Sequence, residues 1–287
     1  MGMKRRLLFT AVVAATLLTV GCSTLDERQR EWIFQPSDSA WGGSAAEAEG
    51  MQDVWIPFHS QVTGQDSRLH GLWLAAGQAP DTGPVLLYLH GARWNVEGSA
   101  PRIRRMQELG FSVLAIDYRG FGKSTPGLPS EDMAYEDARA AWSWLEARYG
   151  KRPLYVFGHS LGGAIAIDLA SHVNDEQGVI VEGTFTSIAD VASSMKWGWL
   201  PISPLITQHF ESIRKVAQVH APLLVVHGAE DTLIHSDLGR RLYDAATTRK
   251  KFVLVEGGSH FSTMAVGQAQ YREALAQFFS LKPPAAE

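Results

Sequence analysis

Short apolar runs and longer amphipathic stretches take turns along most of this chain. Runs at Val85–Leu89, Ser112–Ile116, Leu154–Phe157, Val179–Val181, Leu223–Val226 and Phe252–Val255 are mostly rich in β-branched residues, and each is too short for a helix. Their near-continuous apolar character predicts strands buried on both faces, as in a parallel sheet. Helical patterns lie between them. The clearest spaces Tyr135, Ala138, Trp142, Leu145 and Tyr149 by three and four residues, one stripe of a helix closed by Gly150 as its C-cap. Upstream, Asp53–Phe58 and Arg68–Leu74 predict an antiparallel pair opening the sheet. Such alternation predicts an α/β fold with a mostly parallel central sheet flanked by helices.

The pattern breaks at both ends. Lys4-Arg5-Arg6 precede a short apolar stretch from Leu7 to Val20, and small residues follow at Gly21 and Cys22. That is the layout of a targeting signal over residues 1–21, and the apolar run is too short for a comfortable membrane span. Thr19-Val20-Gly21-Cys22 resembles the box of bacterial lipoprotein signals, with Thr19 in place of the more usual aliphatic residue. The resemblance implies lipidation at Cys22, hence a membrane partner, and Ser23 after it implies sorting to the outer membrane, facing the periplasm. The other reading is a plain secretory signal with an incidental cysteine. Residues 22–50 are polar and rich in small residues and predict a flexible tether, with Trp32-Ile33-Phe34 packing on the domain. The domain itself is expected over residues 51–281, with a frayed tail at 282–287.

Composition narrows the classes. A chain of 287 residues, 45% hydrophobic and 20% charged, is that of an ordinary globular protein. Its formal charge is −4, and loss of the three cations ahead of Cys22 lowers it to −7. An acidic protein lacks the electrostatic footprint for nucleic acid. Cys22 is the only cysteine, so no intrachain disulfide forms.

The candidate chemistry centres on Gly158-His159-Ser160-Leu161-Gly162, with Gly163 behind it. The motif sits directly after the run Leu154–Phe157 and before an apolar helical stretch, Ala164 to Ala170. That strand–turn–helix context is what G-x-S-x-G needs to form a nucleophile elbow. Glycines are needed where backbones approach closely in the tight turn. A serine hydroxyl is a weak nucleophile and requires a base oriented by a carboxylate. Asp231 follows the run Leu223–Val226, and His260 follows Phe252–Val255, which is the chain order Ser, acid, His expected with this elbow. Glu230 is an alternative acid and His235 an alternative base, but the first is one residue off and the second follows no strand of its own. The remaining histidines, His59, His70, His172, His209 and His220 among them, have no ligand-like clustering, so no metal site is indicated. Oxyanion donors are expected from the backbone N–H of Leu161 and from Ala92, in the loop after Val85–Leu89. Arg93 and Trp94 follow Ala92 and are candidates for the pocket entrance.

These residues together resemble the α/β-hydrolase superfamily over roughly residues 50–281. Asp117-Tyr118-Arg119-Gly120-Phe121-Gly122-Lys123-Ser124, Glu182-Gly183-Thr184-Phe185-Thr186-Ser187 and His227-Gly228 with Asp231 are similar to loops of its small-cap esterase and depalmitoylase-like branch. The branch usually carries Asn where Ala92 stands. The resemblance implies a serine hydrolase without a cofactor and a small cap at about 187–218. That stretch is unusually apolar, with Met195, Trp197, Trp199, Leu205 and Phe210. It reads either as an acyl-binding wall, with Trp197 and Trp199 in the pocket, or as ordinary core. The expected reaction is hydrolysis of carboxylic esters or thioesters through an acyl-enzyme, on small-molecule or lipid-like acyl esters at the envelope. Peptidase or acyltransferase chemistry on the same triad, and a non-catalytic envelope lipoprotein, are the alternatives.

Overall fold

The computed structural model describes residues 23–37, 44–77, 81–195 and 203–281. The signal at 1–21, Cys22, Trp197, Trp199 and the tail at 282–287 lie outside the described residues. Among the described residues, β1 (Gln52–His59), β2 (Asp66–Leu74), β3 (Val85–Leu89), β4 (Ser112–Ile116), β5 (Leu154–His159), β6 (Gly178–Glu182), β7 (Leu223–Gly228) and β8 (Lys250–Val255) form one sheet. Its order is β1-β2-β4-β3-β5-β6-β7-β8. β1 and β2 are antiparallel, as is β2 to β4, and all later pairings are parallel.

Every residue of β3 to β7 is buried, as continuous apolar runs require when helices cover both faces. The two faces follow the strand period of two. Leu87, Leu89, Val156, Val181 and Val225 pack under α4 (Glu131–Tyr149), α5 (Leu161–Ala170) and α8 (Ser236–Ala245). Leu86, Tyr88, Tyr155, Phe157, Ile180 and Leu224 meet α3 (Ala100–Glu108) and α10 (Gln268–Phe278) on the other side. β8 departs from the expected pattern. Only its last residue, Val255, is buried and Leu254 is exposed, because β8 is the sheet edge.

Helix α4 begins where Ser130 Oγ accepts the N–H of Met133 at 3.3 Å, an N-cap. Its expected stripe of Tyr135, Ala138, Trp142 and Leu145 is buried. Gly150 closes the helix, but in right-handed conformation, φ −61°, and not in the left-handed one that usually selects glycine at a helix end. A Cβ there would stand 2.6 Å from the carbonyl oxygen of Glu146, and that crowding is the reason for glycine.

The stretch read as a flexible tether is in part docked. Residues 23–34 form helix α1, and α2 (Ser44–Glu47) follows. Arg30 Nε donates to the carbonyl of Pro129 at 2.8 Å, and Gln208 Nε2 donates to Asp26 Oδ1 at 2.8 Å. Phe34 is fully buried, its ring 5.8 Å from that of Phe210. Ile33 is buried as well, whereas Trp32 remains 52% exposed. Phe210 also meets Tyr135, with ring centroids 5.5 Å apart, so this member of the cap stretch belongs to the core. The described part of that stretch holds α6 (Ile188–Ser194) and α7 (Ser212–Lys215).

Candidate active site

Ser160 stands between β5 and α5 with φ 55° and ψ −121°, a region that non-glycine residues occupy only at a cost. The turn is held by its neighbours. The Ser160 N–H donates to the carbonyl of Glu182 at 2.9 Å, and Thr184 Oγ1 donates to the carbonyl of Ser160 at 2.9 Å. A Cβ on Gly158 would overlap the carbonyl of Gly162, and one on Gly162 would overlap that of Leu89. The glycine spacing of the motif is thus the spacing of backbone contacts that tolerate no side chain.

The loops after β7 and β8 bring the other two residues to this serine. Ser160 Oγ donates to His260 Nε2 at 3.0 Å, and His260 Nδ1 donates to Asp231 Oδ2 at 2.8 Å. Asp231 Oδ1 accepts the N–H groups of Leu233 at 3.0 Å and Ile234 at 2.8 Å. Burial opposes the carboxylate charge, but hydrogen bonds from His227 and His260 and the nearby backbone outweigh it and hold Asp231 below the usual carboxylate range. Asp231 is therefore an anion under ordinary conditions and fixes which nitrogen of His260 carries the proton. Glu230 and His235, the alternatives, are both exposed and take no part in this chain of hydrogen bonds.

A cavity of about 310 Å³ opens over Ser160. Ala92, Arg93, Trp94 and Leu161 all line it, while Trp197 and Trp199 lie outside the described residues. The loop after β3 lies close to the elbow, for a Cβ on Gly91 would stand 3.1 Å from Ser160 Cβ. Arg93 and Trp94 both adopt left-handed conformations, φ 69° and φ 50°. The Arg93 N–H donates to the carbonyl of Phe34 at 2.9 Å, so α1 ends directly on this loop. Leu161 opens α5, where a backbone N–H has no partner within the helix.

Behind Ser160, His260 and Asp231 lies a polar cluster without a simple sequence signature. Glu182, fully buried at the end of β6, receives Arg102 Nη1 at 2.7 Å and the Tyr271 hydroxyl at 2.5 Å. Arg102 Nη2 also donates to the carbonyl of Phe261 at 3.1 Å. His159 Nε2 lies 3.0 Å from the carbonyl of His260. Burial, with Arg102 and His260 nearby, pushes the His159 pKa well below the usual histidine value, so this ring is neutral. His70 is buried too, between Asp117 Oδ2 at 3.1 Å and Asp53 Oδ1 at 2.6 Å. Burial works against its charge, but the two carboxylates outweigh it and raise its pKa. No group of three or more metal-ligating side chains occurs among the described residues.

Sheet order, elbow and crevice define a class, the α/β hydrolases. The family model described as serine aminopeptidase, S33, matches residues 81–212. The uncharacterized protein MT2364 of Mycobacterium tuberculosis (strain CDC 1551 / Oshkosh) is 33% identical over 263 residues, which cover 91% of this chain and 90% of that protein. Lysophosphatidylserine lipase ABHD12 of Danio rerio is 33% identical over 186 residues, 58% of this chain and 48% of that protein. Among solved structures, esterase Pf2001 of Pyrococcus furiosus superposes with a TM-score of 0.67 at 20% identity, covering 85% of this chain and 98% of that one. That last likeness is one of fold. The chain belongs to one family with the mycobacterial protein and has the fold of the α/β hydrolases.

Proposed function

We propose that this protein is a serine hydrolase that cleaves carboxylic esters or thioesters of lipid-like acyl groups through an acyl-enzyme. The observation that carries the reading is the unbroken chain of hydrogen bonds from Ser160 through His260 to Asp231, at 3.0 and 2.8 Å, opening onto the cavity. His260 takes the hydroxyl proton as Ser160 Oγ attacks the acyl carbonyl. The imidazolium so formed is stabilised by Asp231 and then protonates the leaving group. The N–H groups of Leu161 and Ala92 receive the oxyanion. Water, deprotonated by His260, releases the acid and restores Ser160. No cofactor enters this scheme.

Lipid-like substrates are favoured by the cavity wall formed by Phe185, Ile188, Val191, Met195 and Ile234, which suits an acyl chain. The lipase named among the relatives points the same way. Lipidation of Cys22 and residence at the bacterial envelope, at the outer membrane facing the periplasm, belong to the same proposal and rest on the N-terminal signal alone. An aminopeptidase reading follows from the description of the matched family, but such an enzyme must hold a free ammonium group. No Asp or Glu occurs among the described residues that line the cavity, so ester cleavage is the better fit. A p-nitrophenyl ester series of rising chain length, assayed beside an aminoacyl p-nitroanilide series, tests this. Ester turnover that rises with chain length and vanishes in Ser160→Ala is expected; turnover of the anilides alone would overturn it.

A further inference from the structure

Ser160 stands just past the end of β5, and the strand order puts β3 on one side of that strand and β6 on the other. The cavity walls differ accordingly. On the β6 side, α6 supplies Ile188 and Val191, an apolar wall. On the β3 side, the loop and α3 supply three arginines, Arg93, Arg102 and Arg105. This wall is cationic in a protein of formal charge −4.

The three are not equivalent. Arg102 is neutralised by the buried Glu182 at 2.7 Å. Arg93 and Arg105 have no ion-pair partner among the described residues, and no acidic side chain shares the described lining with them. Arg105 is half-buried, which raises the cost of leaving its charge uncompensated. Arg93 is held in left-handed backbone by the carbonyl of Phe34, and non-glycine residues in that conformation concentrate at ligand clamps. Arginine is suited to paired hydrogen bonds with phosphate or carboxylate oxygens.

We infer that Arg93 and Arg105 form an anion subsite, so that the preferred substrate is an amphiphilic ester with an apolar acyl arm and a leaving group ending in phosphate or carboxylate. This rests on the ester-hydrolase reading for the direction of cleavage, though not for the existence of the subsite. With the carbonyl at Ser160 Oγ, the acyl chain lies along α6 and the anion lies against the α3 side.

Two measurements separate the subsite from the hydrolase reading. Calorimetric titration of Ser160→Ala with octyl phosphate should give binding at least tenfold tighter than with octyl glucoside or with inorganic phosphate. Adding Arg93→Gln and Arg105→Gln should remove that advantage, and Lys at both positions should restore most of it, with melting temperature confirming the fold in each case. Equal binding of octyl glucoside, an advantage that survives the double Gln change, or inorganic phosphate binding as tightly as octyl phosphate would each overturn the inference. In turnover, the parent should favour octanoyl glycerol phosphate over mono-octanoylglycerol by tenfold or more in kcat/KM, and the double Gln protein should lose that ratio through KM. Cleavage of both esters at equal rates would overturn the subsite and leave the hydrolase reading standing. Arginine-dependent octyl phosphate binding without cleavage of either ester would do the reverse.

Discussion

The carbonyl of Phe34 accepts the N–H of Arg93 at 2.9 Å, so the end of helix α1 is fastened to the loop that borders Ser160. Arg93 and Trp94 are both left-handed, a conformation costing about 1–3 kcal/mol per residue that persists only where surroundings enforce it. Phe34 supplies part of that enforcement through its carbonyl, and its own position is fixed by a ring with no exposure that packs 5.8 Å from that of Phe210.

Truncating that ring tests the link. Phe34→Ala removes a buried aromatic and should lower stability by about 3–5 kcal/mol. Ester turnover measured well below the melting temperature should fall about tenfold as the Ala92 loop loses its position. Unchanged turnover in the folded variant would mean that α1 serves stability alone.

Arg102 and Glu182 make a second prediction. Arg102→Leu leaves the Glu182 carboxylate buried with the Tyr271 hydroxyl as its hydrogen-bond donor and His159 Nε2 3.9 Å away, a loss of about 3–5 kcal/mol. The double change Arg102→Leu with Glu182→Leu should recover most of that stability, because no charge is then left unpaired. It should not recover turnover, since the donor to the Phe261 carbonyl, next to His260, is still missing. Thermal melts and kcat on the two variants read these outcomes separately.

Glu176 sets a pH dependence. Its carboxyl is buried, without a hydrogen-bond partner of ordinary geometry among the described residues, and burial raises its pKa from 4.5 to about 7. The folded protein therefore holds this proton more tightly than the unfolded chain. The stability involved is fully present below about pH 4.5 and is lost as pH rises through about 7. Glu176→Gln should flatten that loss and raise the melting temperature at pH 8 by a few degrees, while leaving it little changed at pH 4.5. An identical pH profile in parent and variant would contradict this.

Much of the framework was legible because its causes are local. Apolar runs at Val85–Leu89 and Ser112–Ile116 coincide with strands, and the elbow glycines with backbone contacts. Ser160, Asp231 and His260 could be named because each follows a strand in the order that the elbow implies. What was hidden depends on contacts between distant parts of the chain. Nothing local distinguishes Arg102 from its neighbours Arg104 and Arg105, and only the packing of α3 against the His260 loop singles it out. Glu182 reads as a polar residue ending a strand, and its burial follows from Arg102 and Tyr271. The helix over residues 23–34 has no such local signal, because its polar side chains bond to the domain, as Asp26 to Gln208, and do not form an apolar stripe. The edge position of β8 is likewise a property of sheet order, invisible in Phe252–Val255 alone.

The central claim is that Ser160 is a nucleophile activated by His260, and covalent labelling with a fluorophosphonate tests it most directly. The parent protein should react, with the adduct on the peptide containing Ser160, and folded Ser160→Ala and His260→Ala should not. A folded parent that stays unlabelled, or labelling that survives in Ser160→Ala, would contradict the account.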